Sequence, residues 1–170
     1  MRSAIYSNLF RITALLLFQV LVLNNIKLHG LISPYIYPLG ILLLPFATPR
    51  WATLVIAFAA GLFVDMFNNT PGLHASATLI LAFSRQYVIT MNRPVGDYEP
   101  THQPTIASLG LYWFFSYAGT LVLLHHFFFF IFEAYTLSFF VYTLAKIVAS
   151  TAASLLLMLL FEYLFYYRNQ

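Results

Sequence analysis

FFVYTLAKIVASTAASLLLMLLFEYLF, residues Phe139 to Phe165, decides what kind of chain this is. A helix crosses hydrocarbon in about 20 predominantly apolar residues, because lipid gives backbone groups no partners and the helix satisfies its own. This run is longer than that. Outward from it, the whole chain has the same character. Of its 170 residues, 61% are hydrophobic and 8% charged, whereas soluble domains are about 25% charged. The eight Lys and Arg with five Asp and Glu cannot cover a water-soluble surface. The expected class is an all-α polytopic membrane protein, a single integral domain over residues 1–170 with no separate soluble unit. Cysteine is absent, which excludes disulfide frameworks, thiolate metal sites and cysteine nucleophiles. The net charge of +3 is spread along the chain and forms no basic stripe for nucleic acid.

By length and apolar content, six transmembrane helices are expected, at about 9–26, 34–47, 51–68, 73–91, 106–132 and 138–166. The first begins near Arg11 and is followed by Asn24-Asn25-Ile26-Lys27, which offers no small-x-small cleavage site, so it reads as an uncleaved helix. The second is punctuated by Pro34, Pro38 and Pro45, which membrane helices tolerate better than soluble ones. Asn68-Asn69-Thr70-Pro71-Gly72 is a tight turn, and Asn92 to Gln103 is the one long polar loop. With both termini cytoplasmic, Arg2, Arg11, Arg50, Arg85, Arg93 and Arg168 fall on the inner side and Lys27 on the outer, as the positive-inside rule requires. Trp51, Tyr87, Tyr166 and Tyr167 then anchor inner helix ends, and Tyr35 and Tyr135 outer ones.

Two charges lie deep in expected spans. A carboxylate such as Asp65 costs about 2.5–3.5 kcal/mol there on insertion scales, so it should face the bundle and be partnered. Lys146 lies at a similar depth and is its expected partner, as an ion pair fixing helix register rather than a proton or ligand site. His125 and His126 are adjacent, about 100° apart on a helix, and cannot chelate as an i, i+4 pair does. His74 opens the fourth span with Thr78 and Arg85 on its face. A zinc site from His29, His74, His126 and Glu133 is not demanded by the spacing; interhelical hydrogen bonding is the preferred reading. Asp65, Asn68, Asn69, His74, His125, His126, Glu133 and Lys146 share the outer half, as one polar cluster opening outward. Thr143, Lys146, Ser150, Ala153 and Ser154 fall along one face of the last span, flanked by Ala145, Ala149 and Ala152. That small-residue face is for packing, inside the bundle or against a partner. No catalytic triad, phosphate loop or dinucleotide fingerprint is present.

The string Ala60-Gly61-Leu62-Phe63-Val64-Asp65-Met66-Phe67-Asn68-Asn69-Thr70-Pro71-Gly72-Leu73-His74-Ala75 resembles the signature of the MreD family, small membrane subunits of the bacterial rod-shape system. Supporting matches are Gln19 to Asn24, Leu44-Pro45-Phe46, Gly96-Asp97-Tyr98-Glu99-Pro100 and His125-His126-Phe127-Phe128, so the likeness covers nearly the whole chain. It implies a non-enzymatic scaffold without cofactor or metal, in the bacterial cytoplasmic (inner) membrane, supporting lateral peptidoglycan synthesis. The implied partners are the periplasmic scaffold MreC, a RodA-type polymerase, a class B penicillin-binding transpeptidase, the MreB filament and membrane lipid, with no nucleic acid. It also implies a fold similar to the substrate-binding subunits of energy-coupling-factor vitamin transporters, six-helix bundles with an outward-facing pocket. Gly61, Asp65, Gly72, Leu73 and His74 are the positions it marks; Asn68, His125, His126 and Lys146 complete the candidate partner or ligand site. The competing readings are a solute-binding membrane subunit of a vitamin-type transporter, and an intramembrane enzyme using Asp65 with a histidine.

Overall fold

The computed structural model describes residues 2–26, 30–94, 98–100, 102–134 and 140–167. Among these the secondary structure is helical throughout: α1 (Arg2–Leu21), a 3-10 turn (Leu23–Asn25), α2 (Leu39–Leu42), α3 (Arg50–Asn68), α4 (Leu73–Met91), α5 (Ile106–Leu109), α6 (Leu111–Glu133), α7 (Phe140–Glu162) and a closing π turn (Tyr163–Tyr167). Four helices are long and apolar enough to cross a membrane, Tyr6–Asn25, Arg50–Asn68, Leu111–Glu133 and Phe140–Phe165. They mark the chain as a membrane protein. Their outer faces carry large apolar side chains: along α3, Trp51, Val55, Phe58, Leu62 and Met66 recur at helical spacing and are exposed. The opposite face of α3 is small, with Ala57, Ala60, Gly61 and Val64 buried, so a neighbouring backbone approaches closely.

That neighbour is α4, which packs between α3 and α6. Its buried stripe includes His74, Thr78 and Arg85 beside Ala77, Leu81 and Ala82. Such a stripe lowers the hydropathy of a helix yet suits an interior position, where neighbouring side chains supply the partners that lipid cannot. α4 is the polar spine of the bundle.

The stretch from Pro34 to Ala47 departs from the expected second helix: only the single turn of α2 is helical there. Residues 34–44 are nonetheless buried without interruption. Pro34 and Pro38 lack N–H groups and break the i→i−4 ladder, so the freed backbone must find other partners. Side chains provide them. Ser33 N–H donates to Ser150 Oγ (3.0 Å), Tyr35 N–H to Ser154 Oγ (2.8 Å) and Ile36 N–H to Gln19 Oε1 (2.8 Å). The carbonyl of Leu42 accepts from Tyr117 Oη (2.9 Å), that of Leu43 from Arg11 (2.8 Å), and that of Leu44 from Arg85. Gln19 meets Pro34 and Arg11 meets Leu43, so the segment runs back antiparallel to α1.

Arg11 and Arg85 are accordingly buried at 6% and 2% exposure. Both donate to buried backbone carbonyls. Tyr35 is likewise buried within the bundle and is no interfacial anchor, whereas Trp51 and Tyr87 are exposed at helix ends as expected. Tyr135, Lys27, Arg168 and the side chains of Arg2, Tyr166 and Tyr167 lie outside the described residues. The expected fifth span is divided at Gly110, whose φ of 84° and ψ of 161° only glycine adopts readily, separating α5 from α6.

Candidate functional site

The α3–α4 hairpin gathers most of the singled-out residues into one clasp. Asn69 (φ 53°) and Gly72 (φ 85°) take left-handed conformations that reverse the chain within four residues. Reversal brings the first turn of α4, whose N–H groups have no intrahelical partners, onto the end of α3. Asp65 meets them: Oδ1 accepts from His74 N–H (2.9 Å) and from Thr70 Oγ1 (2.8 Å), and Oδ2 accepts from Ala75 N–H (2.9 Å). A carboxylate here also complements the positive end of the α4 dipole. Gly61 stands one turn earlier, where a Cβ would lie 2.5 Å from Ala75 Cα and 2.7 Å from His74 O. Only hydrogen fits there. Leu73 packs against the apolar cluster of Val64, Ala77 and Phe129.

Asp65 and Lys146 are not partners. Lys146 Nζ pairs with Glu133 Oε2 at 2.6 Å and lies 4.6 Å from the Phe130 ring centroid. The expectation compared depths along two helices but not their azimuths. α7 packs on α6, which offers Lys146 the carboxylate at its own end, while Asp65 is taken by donors nine and ten residues further along its own hairpin.

His74 and His125 converge on Tyr37, which carried no signal in the sequence. Its hydroxyl lies 2.7 Å from Thr78 Oγ1, 2.9 Å from His125 Nε2 and 3.3 Å from His74 Nδ1. Proton accounting orders this network. Thr78 has one hydroxyl hydrogen and gives it to His74 O (2.6 Å), so it accepts from Tyr37. Tyr37 therefore accepts from Nε2–H of His125 and Nδ1–H of His74. His74 Nε2 is then an acceptor, filled by Asn68 Nδ2 (3.1 Å). Asn68 Oδ1 accepts from Asn24 (2.7 Å), and Asn24 Oδ1 from Gln19 (2.9 Å). His126 donates through Nδ1 to Val122 O (2.8 Å), leaving Nε2 to accept from Ser154 Oγ (3.2 Å). His74 is thereby fixed in one neutral tautomer, while His125 Nδ1 has no hydrogen-bond partner among the described residues. The network ties α1, the segment around Tyr37, α3, α4 and α6 together.

Ser154 and His126 superficially resemble a nucleophile and its base. Both are fully buried, Ser154 Oγ also accepts Tyr35 N–H, and the far nitrogen of His126 faces a carbonyl rather than a carboxylate. That arrangement fastens the irregular segment to α7. Ser150 binds the segment in the same way and Thr143 is buried too, so this line of the α7 small-residue face packs within the bundle, while Ala149 and Ala153 are half-buried and Ala145 and Ala152 exposed. Among the described residues no group of three or more metal-ligating side chains is gathered, and His29 lies outside them.

Beside the clasp is a recess of about 290 Å³, lined among others by Asn24, Tyr35, Asn68, His74, Phe129 and Glu133. The expected shared polar cluster therefore exists for Asp65, Asn68, His74 and His125 with His126 adjacent, and Glu133 with Lys146 stands at its edge. A second polar group missed in the sequence is Glu162, fully buried, whose Oε2 accepts Ile106 N–H at 3.1 Å. Arg85, placed in the sequence on the His74 face, donates through Nε to Tyr117 Oη at 3.0 Å.

No family model, curated protein or solved structure matches the chain.

Proposed function

We propose that this chain is a non-enzymatic scaffold of the MreD type, a six-crossing subunit of a bacterial rod-shape complex with both ends in the cytoplasm. The observation that carries the proposal is the clasp. Gly61, Asp65, Gly72, Leu73 and His74, on which the resemblance rests, form one physical unit in which the Asp65 carboxylate, the His74 N–H and His74 Nε2 hold α3 to α4. A rigid hairpin inside a lipid-facing bundle suits a protein that presents fixed surfaces to MreC, a RodA-type polymerase, a transpeptidase and, through them, MreB. Even without the buried Arg11 and Arg85, Arg2, Arg50, Arg93 and Arg168 on the proposed inner side oppose only Lys27 in the outer loops. Depleting the protein in its rod-shaped host tests the reading. Cells should round up, lateral wall labelling should fall, and MreC should co-purify with the intact protein in mild detergent. Rods that persist on depletion, with no MreC recovered, refute it.

The second reading, a solute-binding membrane subunit, is favoured by one observation, the recess of about 290 Å³ beside the clasp. Loss of uptake of one solute on depletion, with shape intact, would select it.

A further inference from the structure

We infer that the recess beside the α3–α4 turn is a binding site for a small, uncharged molecule that carries both a carbonyl and an N–H donor. The inference deepens the second reading by naming its class of solute; the depletion phenotype tests the scaffold separately, so either can fail alone.

Size sets the first limit. At about 290 Å³ the recess lies at the lower end of small-molecule sites, which run from about 300 to 1,000 Å³. It has room for a single substituted ring. Burial sets the second. Tyr35 and Phe129 are 8% and 1% exposed, their faces taken up by each other and by His74, His125 and His126, so a ligand meets chiefly the polar part of the lining.

Hydrogen-bond capacity sets the third. An amide nitrogen has two hydrogens. Asn24 spends one on Asn68, and Asn68 spends one on His74, so each lining amide keeps one N–H to give. Both amides are orientationally fixed, because Gln19 must donate to the oxygen of Asn24 and the acceptor nitrogen of His74 must face the nitrogen of Asn68. Donors held in advance favour an acceptor such as a carbonyl. Glu133 gives Oε2 to Lys146 and keeps Oε1, an acceptor for a ligand N–H. Charge sets the last limit. Lys146 compensates Glu133, and His74 is neutral in its assigned tautomer. Among the described lining residues an anion finds no net positive partner and meets Glu133.

The full chain, purified in mild detergent, is titrated with uracil, nicotinamide and 2-pyridone, each a ring with a carbonyl and an N–H. Toluene and benzoate are the controls for shape without hydrogen bonding and for negative charge. At least one of the three rings should bind saturably at one per chain by isothermal titration and raise the unfolding midpoint. Its affinity should fall at least tenfold in Asn24→Leu, and also in Glu133→Gln, whose partly exposed site keeps that variant folded should Asn24→Leu fail. Toluene and benzoate should not compete. The inference is overturned if none of the three binds, if toluene binds as well as they do, or if binding is unchanged in Glu133→Gln. Saturable binding only by N-acetyl-tryptophanamide would also overturn it, and would make the recess a socket for a partner's side chain.

Discussion

Replacing Asp65 and Lys146 singly and together separates the clasp from the ion pair that the sequence suggested. In Asp65→Ala, the N–H groups of His74 and Ala75 lose their acceptor, and so does the Thr70 hydroxyl. Asp65 is 3% exposed, so water cannot readily take its place. A buried donor left unmet costs about 1–3 kcal/mol, with the upper part of that range applying where the lost partner is charged. Two backbone donors and a partly buried hydroxyl together put the loss at about 3–5 kcal/mol, a large share of the roughly 5–15 kcal/mol that holds a domain folded. Lys146→Ala removes a pair whose side chains are 18% and 39% exposed, worth about 0–1 kcal/mol. The two effects should add to within about 0.5 kcal/mol, because the residues share no partner. The assay is reversible unfolding in mixed micelles, followed by circular dichroism, for wild type, both singles and the double. A coupling above about 1.5 kcal/mol, or Lys146→Ala costing as much as Asp65→Ala, would refute the clasp and restore the pair.

Gly61→Ala should destabilise by at least about 1–3 kcal/mol, because its Cβ meets backbone rather than a movable side chain. Gly119→Ala, whose Cβ would sit 3.8 Å from Leu155 Cδ1, should instead stabilise α6 by about 0.5–1 kcal/mol; midpoints in the same micelles check both. Arg85→Met leaves the Leu44 carbonyl without its donor and should cost about 1–3 kcal/mol by the same measurement. Arg85→Lys should not restore it, since one ammonium does not reproduce the guanidinium fork that reaches both Leu44 and Tyr117. Reporter fusions after Asn69 and Glu133 should report an external location, and one at Gln170 a cytoplasmic one; a cytoplasmic signal at Asn69 would break the six-crossing topology.

The sequence was most legible where local chemistry decided the outcome. The hairpin between α3 and α4 was announced by Asn-Asn-Thr-Pro-Gly, and both left-handed residues fall within it. The end of α3 and the start of α4 came out as expected because turn residues act on their neighbours alone. The partner of Asp65 was not legible, since it depends on which way each helix is rotated in the bundle. Nor was the unwinding of residues 34–38. Three prolines in fourteen residues warned of a broken ladder, but whether a membrane helix absorbs proline depends on neighbours distant in sequence, here Gln19, Ser150 and Ser154. Tyr37, the hub of the histidine layer, looked like any other tyrosine in an apolar run.

One physical requirement accounts for most of the polar residues in this lipid-bound core. Between Ser33 and Leu44 the backbone is largely non-helical yet buried, and such backbone survives at membrane depth only where protein groups satisfy it. The partners found are Gln19, Ser150 and Ser154 for its N–H groups, and Arg11, Arg85, Tyr117 and Gln19 for its carbonyls. Through Tyr37 the same segment recruits His74, Thr78 and His125. A straight apolar helix in this place would have needed none of them. The segment is therefore the element whose retention calls for explanation, and its first residues, Ser33 to Tyr35, line the recess together with Asn24 and Asn68, amides held in line from Gln19, the residue that also holds Ile36. The backbone freed at Pro34 and the recess beside the α3–α4 turn thus draw on one set of side chains.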